Sequence, residues 1–293
     1  MSSRLQVHVH FVTDDVECSF NRARQVELVI TKSSQHSVDV KLNRPGVARL
    51  LVSVRSRAEA VAAIKGGAEI LDVKEPSLGS LGMAHIDQIQ EIADYVSGQS
   101  NGPTTHVPLS VALGELRDWF DRKMVPVLPA AVTFAKLGLS GLAHDPDWQR
   151  TWQQVRGEFD RQRDMPLRWV AAAYADEMAA QSPPLKSILS AARDGCAGLL
   201  VDTYSKTGKT LIDFASVSVL TEIARQCRES GLFLAIAGSL TIDVALQLGG
   251  VGADIVAIRS AACPRANRRD SIDPTLVTAF RDALMNSQRS SIH

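Results

Sequence analysis

The chain has 293 residues, and its 32 basic and 32 acidic side chains cancel to a formal net charge of zero. That balance gives no general electrostatic pull toward nucleic acid or an anionic membrane, so any anion site has to be local. The four cysteines, Cys18, Cys196, Cys227 and Cys263, are scattered without a CxxC pair, which argues against a disulfide framework and against zinc. No apolar run approaches the roughly 20 residues that span a bilayer, and the N-terminus lacks the basic-then-apolar order of a signal peptide. A cytoplasmic protein with reduced thiols is expected.

Residues 1–48 carry alternating patterns, QVHVHFV and SVDVKLN, that predict a small hairpin or an extra sheet, an N-terminal extension with no assignable role. From residue 49 to about 288, short β-rich runs alternate with helical ones. The strands are predicted at 49–54, 69–74, 106–113, 133–139, 167–174, 198–204, 233–239 and 254–260. Near-continuous Val, Ile, Leu and Ala runs suit strands buried on both faces, and helices between them imply parallel, right-handed crossovers. Eight such units predict a (β/α)₈ TIM barrel, a single catalytic domain behind the extension. In the first helical run, SRAEAVAAIKGG, the residues Ala58, Val61, Ala62 and Ile64 are expected to form the apolar side. His85 and Asp87 open the next helix. The stretch 97–106 reads as a loop, and 144–165 as a long polar helix carrying tryptophans, with HDPD as its cap.

Chemistry-bearing residues collect where strands run out. Asp72 and Lys74, two apart in LDVKEPSLGSLG, point to one side of a strand, where they form either a reacting amine with its proton partner or a buried ion pair. The Ser77, Gly79, Ser80 and Gly82 loop behind them suits close backbone approach to a ligand, or an ordinary turn. Lys136 in FAKLGLSG is taken alone more often a snorkelling stem than a base. Asp202 and Lys206, in VDTYSKTGKT, fit a proton-transfer pair or a solvated loop. A lysine in a partly dry pocket loses its proton and attacks carbonyl carbon, so the three lysines point to Schiff-base chemistry. Gly238 and Ser239 follow the seventh strand, and Arg259 and Ser260 follow the eighth, the two loops that cradle phosphate in barrel enzymes. Cys263 has no neighbouring base and reads as packing. Metal-ligand spacing is absent.

Taken in order, LLVSV, GGAEILDVKEPSLGSLG, AKLGL, AAAYAD, LLVDTYSKTGKTLIDF, AIAGSL and DIVAIRSAAC resemble the (5-formylfuran-3-yl)methyl phosphate synthase family of methanofuran biosynthesis. The resemblance implies a (β/α)₈ lyase that condenses two molecules of glyceraldehyde 3-phosphate into a phosphorylated furan aldehyde, without organic cofactor or metal. It implies Lys74 as the Schiff-base residue, Lys136 as proton acceptor, and Asp72, Asp202 and Lys206 as further site residues. A homo-oligomer is expected. Two other functions stay open: a simpler class I aldolase-like enzyme on another phosphorylated aldehyde, and a non-catalytic barrel that binds a phosphometabolite. Lys206 is the alternative imine former should Lys74 be tied to Asp72.

Overall fold

Apolar runs buried on both faces become the strands of a closed parallel barrel: β1 (Arg49–Val54), β2 (Ile70–Val73), β3 (Leu109–Glu115), β4 (Val132–Gly138), β5 (Arg168–Tyr174), β6 (Gly198–Asp202), β7 (Phe233–Ile236) and β8 (Ile255–Ile258), paired in sequence order, with β8 closing on β1. The computed structural model describes residues 48–98, 107–122 and 124–290. The expected N-terminal hairpin, Cys18 and most of the loop at 97–106 lie outside the described residues. All eight expected strands are present. Their ends move by a few residues, most at β3, which starts three residues later and ends two later than expected, and at β7, where the apolar run outlasts the ladder.

The outer layer is α1 (Arg57–Gly66), α2 (Ile86–Gly98), α3 (Trp148–Asp160), α4 (Glu177–Ala180), α5 (Leu185–Ala192), α6 (Val217–Glu229), α7 (Ile242–Gln247) and α8 (Pro274–Ser290). The apolar side expected for α1 is right in half: Ala62 and Ile64 are half-buried against the core, but Ala58 and Val61 face outward, and Glu59, Ala60, Ala63 and Gly66 are buried. Small residues win this face because α8 packs tightly on it; a Cβ on Gly66 would stand 2.5 Å from Val277 Cβ. Glu59 is inside because it serves a buried arginine described below.

The third crossover also departs from expectation. Among the described residues the path from β3 to β4 carries only a 3₁₀ turn, Leu116–Trp119, and then runs extended through Val125–Pro129. Pro126 and Pro129 remove donors that a helix needs. The stranded carbonyls are met from another element: Arg163, just past α3, donates to the oxygens of Leu128 (2.9 Å), Pro129 (2.7 Å), Ala130 (3.2 Å) and Val132 (2.8 Å). The polar segment at 144–165 does form a helix, α3, and its tryptophans are anchors. Trp148, Trp152, Val155 and Phe159 recur at helical spacing on the buried face, and Phe159 meets Trp119 edge-on at 5.1 Å.

Inside the barrel, side chains alternate along each strand and stack in layers. The deeper layers are apolar, with Phe134 and Phe233 edge-to-face at 5.8 Å. Gly198 makes room for this pair, since a Cβ there would come within 2.4 Å of the Phe233 ring. Two residues further along the strands the lining turns polar, with Ser53, Asp72, Lys74, Lys136 and Asp202 all buried. The chain comes into β1 at Arg49, level with Ile255 at the start of β8, the end of the barrel opposite these groups.

Candidate active site

The register of the sheet builds the centre. Ser53 on β1 is level with Asp72 on β2, and Asp72 is level with Ser110 on β3. All three face inward, so one carboxylate sits between two hydroxyls. Ser53 Oγ donates to Asp72 Oδ2 (3.2 Å). From β4, Lys136 donates to Asp72 Oδ1 and to Ser110 Oγ, the latter at 3.2 Å. Lys136 is therefore a buried, paired cation and does not snorkel outward.

Across the barrel, Asp202 ends β6 and is enclosed in the same way. Its Oδ1 accepts from Lys206 Nζ (3.1 Å) and from the Thr203 amide (2.7 Å), and its Oδ2 accepts from Ser80 Oγ (3.0 Å). Ser80 belongs to the loop after β2, so this loop crosses the mouth and is pinned to β6, with a second bond from Ser80 Oγ to the Thr203 carbonyl at 3.0 Å. Burial by itself raises a carboxyl pKa, but the positive charges of Lys206 and Lys74 and these hydrogen bonds outweigh it and hold Asp202 below the usual range.

Lys74 stands between the two pairs and belongs to neither. Asp72 is taken by Lys136 and Asp202 by Lys206, so the expectation of a direct Asp72–Lys74 pair is replaced by an amine that makes no hydrogen bond or ion pair among the described residues. Lys74 is 8 % exposed. Burial pulls its pKa down to about 8 from 10.5, with Lys206 and Lys136 pushing the same way and the attraction of Asp202 and Asp72 only partly opposing.

One cavity of about 390 Å³ takes in Lys74, Lys136, Lys206, Asp72, Asp202, Gly238, Ser239, Arg259 and Ser260, within the roughly 300–1,000 Å³ usual for small-molecule sites. Gly238 and Ser239 adopt φ of 110° and 51°, a bend held against Thr203, where a Cβ on Gly238 would lie 2.9 Å from Thr203 Cγ2. The backbone N–H groups of Gly238, Ser239 and Ser260 have no partner among the described residues.

The Arg259 side chain corrects the sequence reading. It is 7 % exposed, and all of its N–H directions are spent inside the protein: Nε on Arg268 O (3.0 Å), Nη1 on Ser53 O (3.0 Å) and Glu59, and Nη2 on Glu59 (3.1 Å) and Asp270 O (2.9 Å). Its guanidinium is a strut between β8, β1 and α1, with no donor left for a phosphate. Cys263 is buried against the Arg259 and Asp270 carbonyls (3.2 and 3.3 Å), and burial raises its thiol pKa, consistent with packing. Among the described residues there is no cluster of three or more His, Cys, Asp or Glu side chains able to hold a metal, and no helix long and apolar enough to cross a membrane. Sequence reasoning passed over Ser53 and Ser110, although a lone serine inside LLVSV or PLSVAL, in step with inward-facing positions, was a readable signal. Arg268 and Asn267 also line the cavity and carried no such signal.

Comparison with known proteins bears on the fold and on the family. Solved structures share the barrel and little sequence: a spore coat polysaccharide biosynthesis protein of Bacillus subtilis aligns with a TM-score of 0.53 at 10 % identity over 84 % of this chain and 69 % of that one. A thiamine phosphate pyrophosphorylase of Pyrococcus furiosus aligns with a TM-score of 0.50 at 13 % identity over 83 % and 97 %. Sequence relatives are much nearer. The (5-formylfuran-3-yl)methyl phosphate synthase of Methanopyrus kandleri is 35 % identical over 243 residues, covering 80 % of this chain and 98 % of the relative. The enzyme of that name from Methanocaldococcus jannaschii is 31 % identical over 242 residues, covering 80 % and 98 %. The 4-HFC-P synthase family model matches residues 50–281, which spans the whole barrel, and the chain belongs to that family of synthases.

Proposed function

We propose that this barrel joins two molecules of glyceraldehyde 3-phosphate into (5-formylfuran-3-yl)methyl phosphate, with loss of one phosphate and two waters, as a step toward a methanofuran-type carrier. The observation that carries this reading is the unpaired, buried Lys74 amine with its pKa near 8, set between two carboxylate–lysine pairs in a cavity that also presents free backbone amides. An aldehyde carbon needs an unprotonated amine, and Lys74 is the cavity lysine whose proton is loosely held. Addition of Nζ to the carbonyl and loss of water give an iminium. Removal of the neighbouring C–H proton gives an enamine that attacks the second aldehyde. Elimination of one phosphate, ring closure, loss of two further waters that makes the ring aromatic, and hydrolysis of the imine by one water complete the sequence and return Lys74.

The Lys136–Asp72 pair takes up the C–H proton, and Lys206 with Asp202 protonates the departing oxygens. The geometry favours this division because each pair lies on a different side of Lys74 and each carboxylate is oriented by a serine and a lysine. The N–H groups of Gly238, Ser239 and Ser260 suit a phosphate, since amides without protein partners are costly unless an anion or water meets them. The test is incubation with glyceraldehyde 3-phosphate alone, following furan absorbance and product mass, with borohydride in a parallel sample. Wild type yields furan phosphate and an adduct on Lys74, and Lys74→Arg yields neither, because a guanidinium keeps the charge and forms no imine. Normal furan formation by a folded Lys74→Arg protein would overturn the assignment, and an adduct without furan would favour a simpler aldolase.

A further inference from the structure

Arg268 lies in the loop after β8 and reaches over the mouth of the barrel. Among the described residues one of its five N–H donors is used: Nη2 donates to the Gly79 carbonyl at 3.0 Å, tying the β8 loop to the β2 loop. Its Nε is sealed from solvent and has no hydrogen-bond partner among the described residues. The backbone of Arg268 is itself held, because its carbonyl accepts from Arg259 Nε at 3.0 Å. Arg268 lines the same cavity as Lys74, and its guanidinium feels the charges of Asp202, Arg259, Arg269 and Glu75.

A sheltered guanidinium N–H without an acceptor is costly, and such a group in a residue that lines a cavity points to an anionic ligand. The contrast with Arg259 is informative. The arginine at the end of β8 has no free donor, whereas the one nine residues later has its Nε and most of its fork unspent. Phosphate oxygens match that fork through two parallel N–H bonds.

We propose that Arg268 is a phosphate-binding residue of this site, gripping the phosphoryl group of the triose phosphate through its guanidinium fork, and that Arg259 serves the phosphate indirectly, by holding the Arg268 backbone in place. The identity of the substrate rests on the triose phosphate reading above. The phosphate grip does not depend on it.

The experiment separates the two. Inorganic phosphate is titrated calorimetrically into the full-length wild-type protein, Arg268→Gln and Arg268→Lys, and imine formation is then trapped with borohydride over a concentration series of glyceraldehyde 3-phosphate and of unphosphorylated glyceraldehyde. Arg268→Gln weakens phosphate binding by roughly tenfold or more and raises the half-saturating glyceraldehyde 3-phosphate by a similar factor, while the glyceraldehyde series is unchanged. Arg268→Lys, which keeps the charge and loses the planar fork, weakens phosphate by about threefold or more and decides the matter should the glutamine variant fail to fold. Equal phosphate affinity in wild type and variants, no phosphate binding by wild type, or equal losses with both aldehydes, the mark of a purely structural tie to Gly79, each overturns the inference. Arg268-dependent phosphate binding in a protein that traps neither aldehyde would uphold it and sink the triose phosphate reading.

Discussion

At the scale of single residues, the decisive quantity is where the cavity lysines put their charge. Lys136 and Lys206 are each compensated by a carboxylate, and Lys74 is not. With a pKa of about 8, roughly one tenth of Lys74 is free amine at pH 7 and nine tenths at pH 9, so the rate of borohydride trapping is expected to climb about tenfold across that interval and then level off. A profile still rising at pH 10 would mean an ordinary, solvated lysine. The same depression affects stability. The folded chain holds its Lys74 proton less tightly than the unfolded chain, whose value is near 10.5, so the cost of burying this charge is fully present below pH 8 and disappears as the pH rises through the window from about 8 to 10.5. Lys74→Met is therefore expected to gain stability at pH 7, on the order of 1–3 kcal/mol, with the gain vanishing above pH 10.5, as read from urea melts at several pH values. An equal gain at every pH would refute it. The two arginines after β8 mark the limit of what sequence discloses here. Arg259 was legible by position, yet nothing in the letters reveals that Glu59 and three backbone carbonyls consume its donors while Arg268 keeps most of its own.

At the scale of elements, polar residues buried in the wall do much of the alignment. The extended β3-to-β4 connection holds its course because Arg163 collects four of its carbonyls, and burial lowers the Arg163 pKa, as expected for a sheltered cation answered mainly by dipoles. Arg163→Ala is expected to cost about 2–4 kcal/mol, and Arg163→Lys most of that, since an ammonium cannot span the same oxygens. Denaturant melts check both, and a loss below about 0.5 kcal/mol for Arg163→Ala would show that water replaces the guanidinium. The loop after β2 has a comparable role, because Ser80 fixes Asp202 from across the mouth. Ser80→Ala removes one hydrogen-bond donor to a buried carboxylate, and furan formation is expected to fall by roughly tenfold with little change in melting temperature. An unchanged turnover number would show that Lys206 and the Thr203 amide suffice.

At the scale of the molecule, the architecture was readable because a parallel barrel demands strands that are apolar throughout, and eight such runs are hard to place any other way. The alternating hydrophobic count failed where small residues carried the packing, as on α1, and where prolines and one distant arginine replaced a helix. The meeting of Lys74, Lys136, Lys206, Asp72 and Asp202 was also legible, since all of them lie at or just past strand ends. The Asp202–Lys206 pair was legible from its spacing, but that Lys136 and not Lys74 takes Asp72 was not, because that depends on stagger between strands. A ligand that ties together loops after β2, β6, β7 and β8 stabilises the whole barrel by mass action: phosphate at about a hundred times its dissociation constant is expected to raise the melting temperature by roughly 5–10 °C, measured by calorimetry, and no shift would mean that the cavity does not hold the anion.

The two ends of the barrel have unequal uses. The strands all run one way, from Arg49 level with Ile255 toward the polar layer, so a tether that replaces residues 1–47 and joins at Ala48 attaches at the end of the strands opposite that layer. Anchored to a bead, an electrode or a scaffold in that way, every copy would turn its mouth toward the solution. Orientation on a surface is thus set by the handed, one-way run of eight strands and needs no engineering of the cavity.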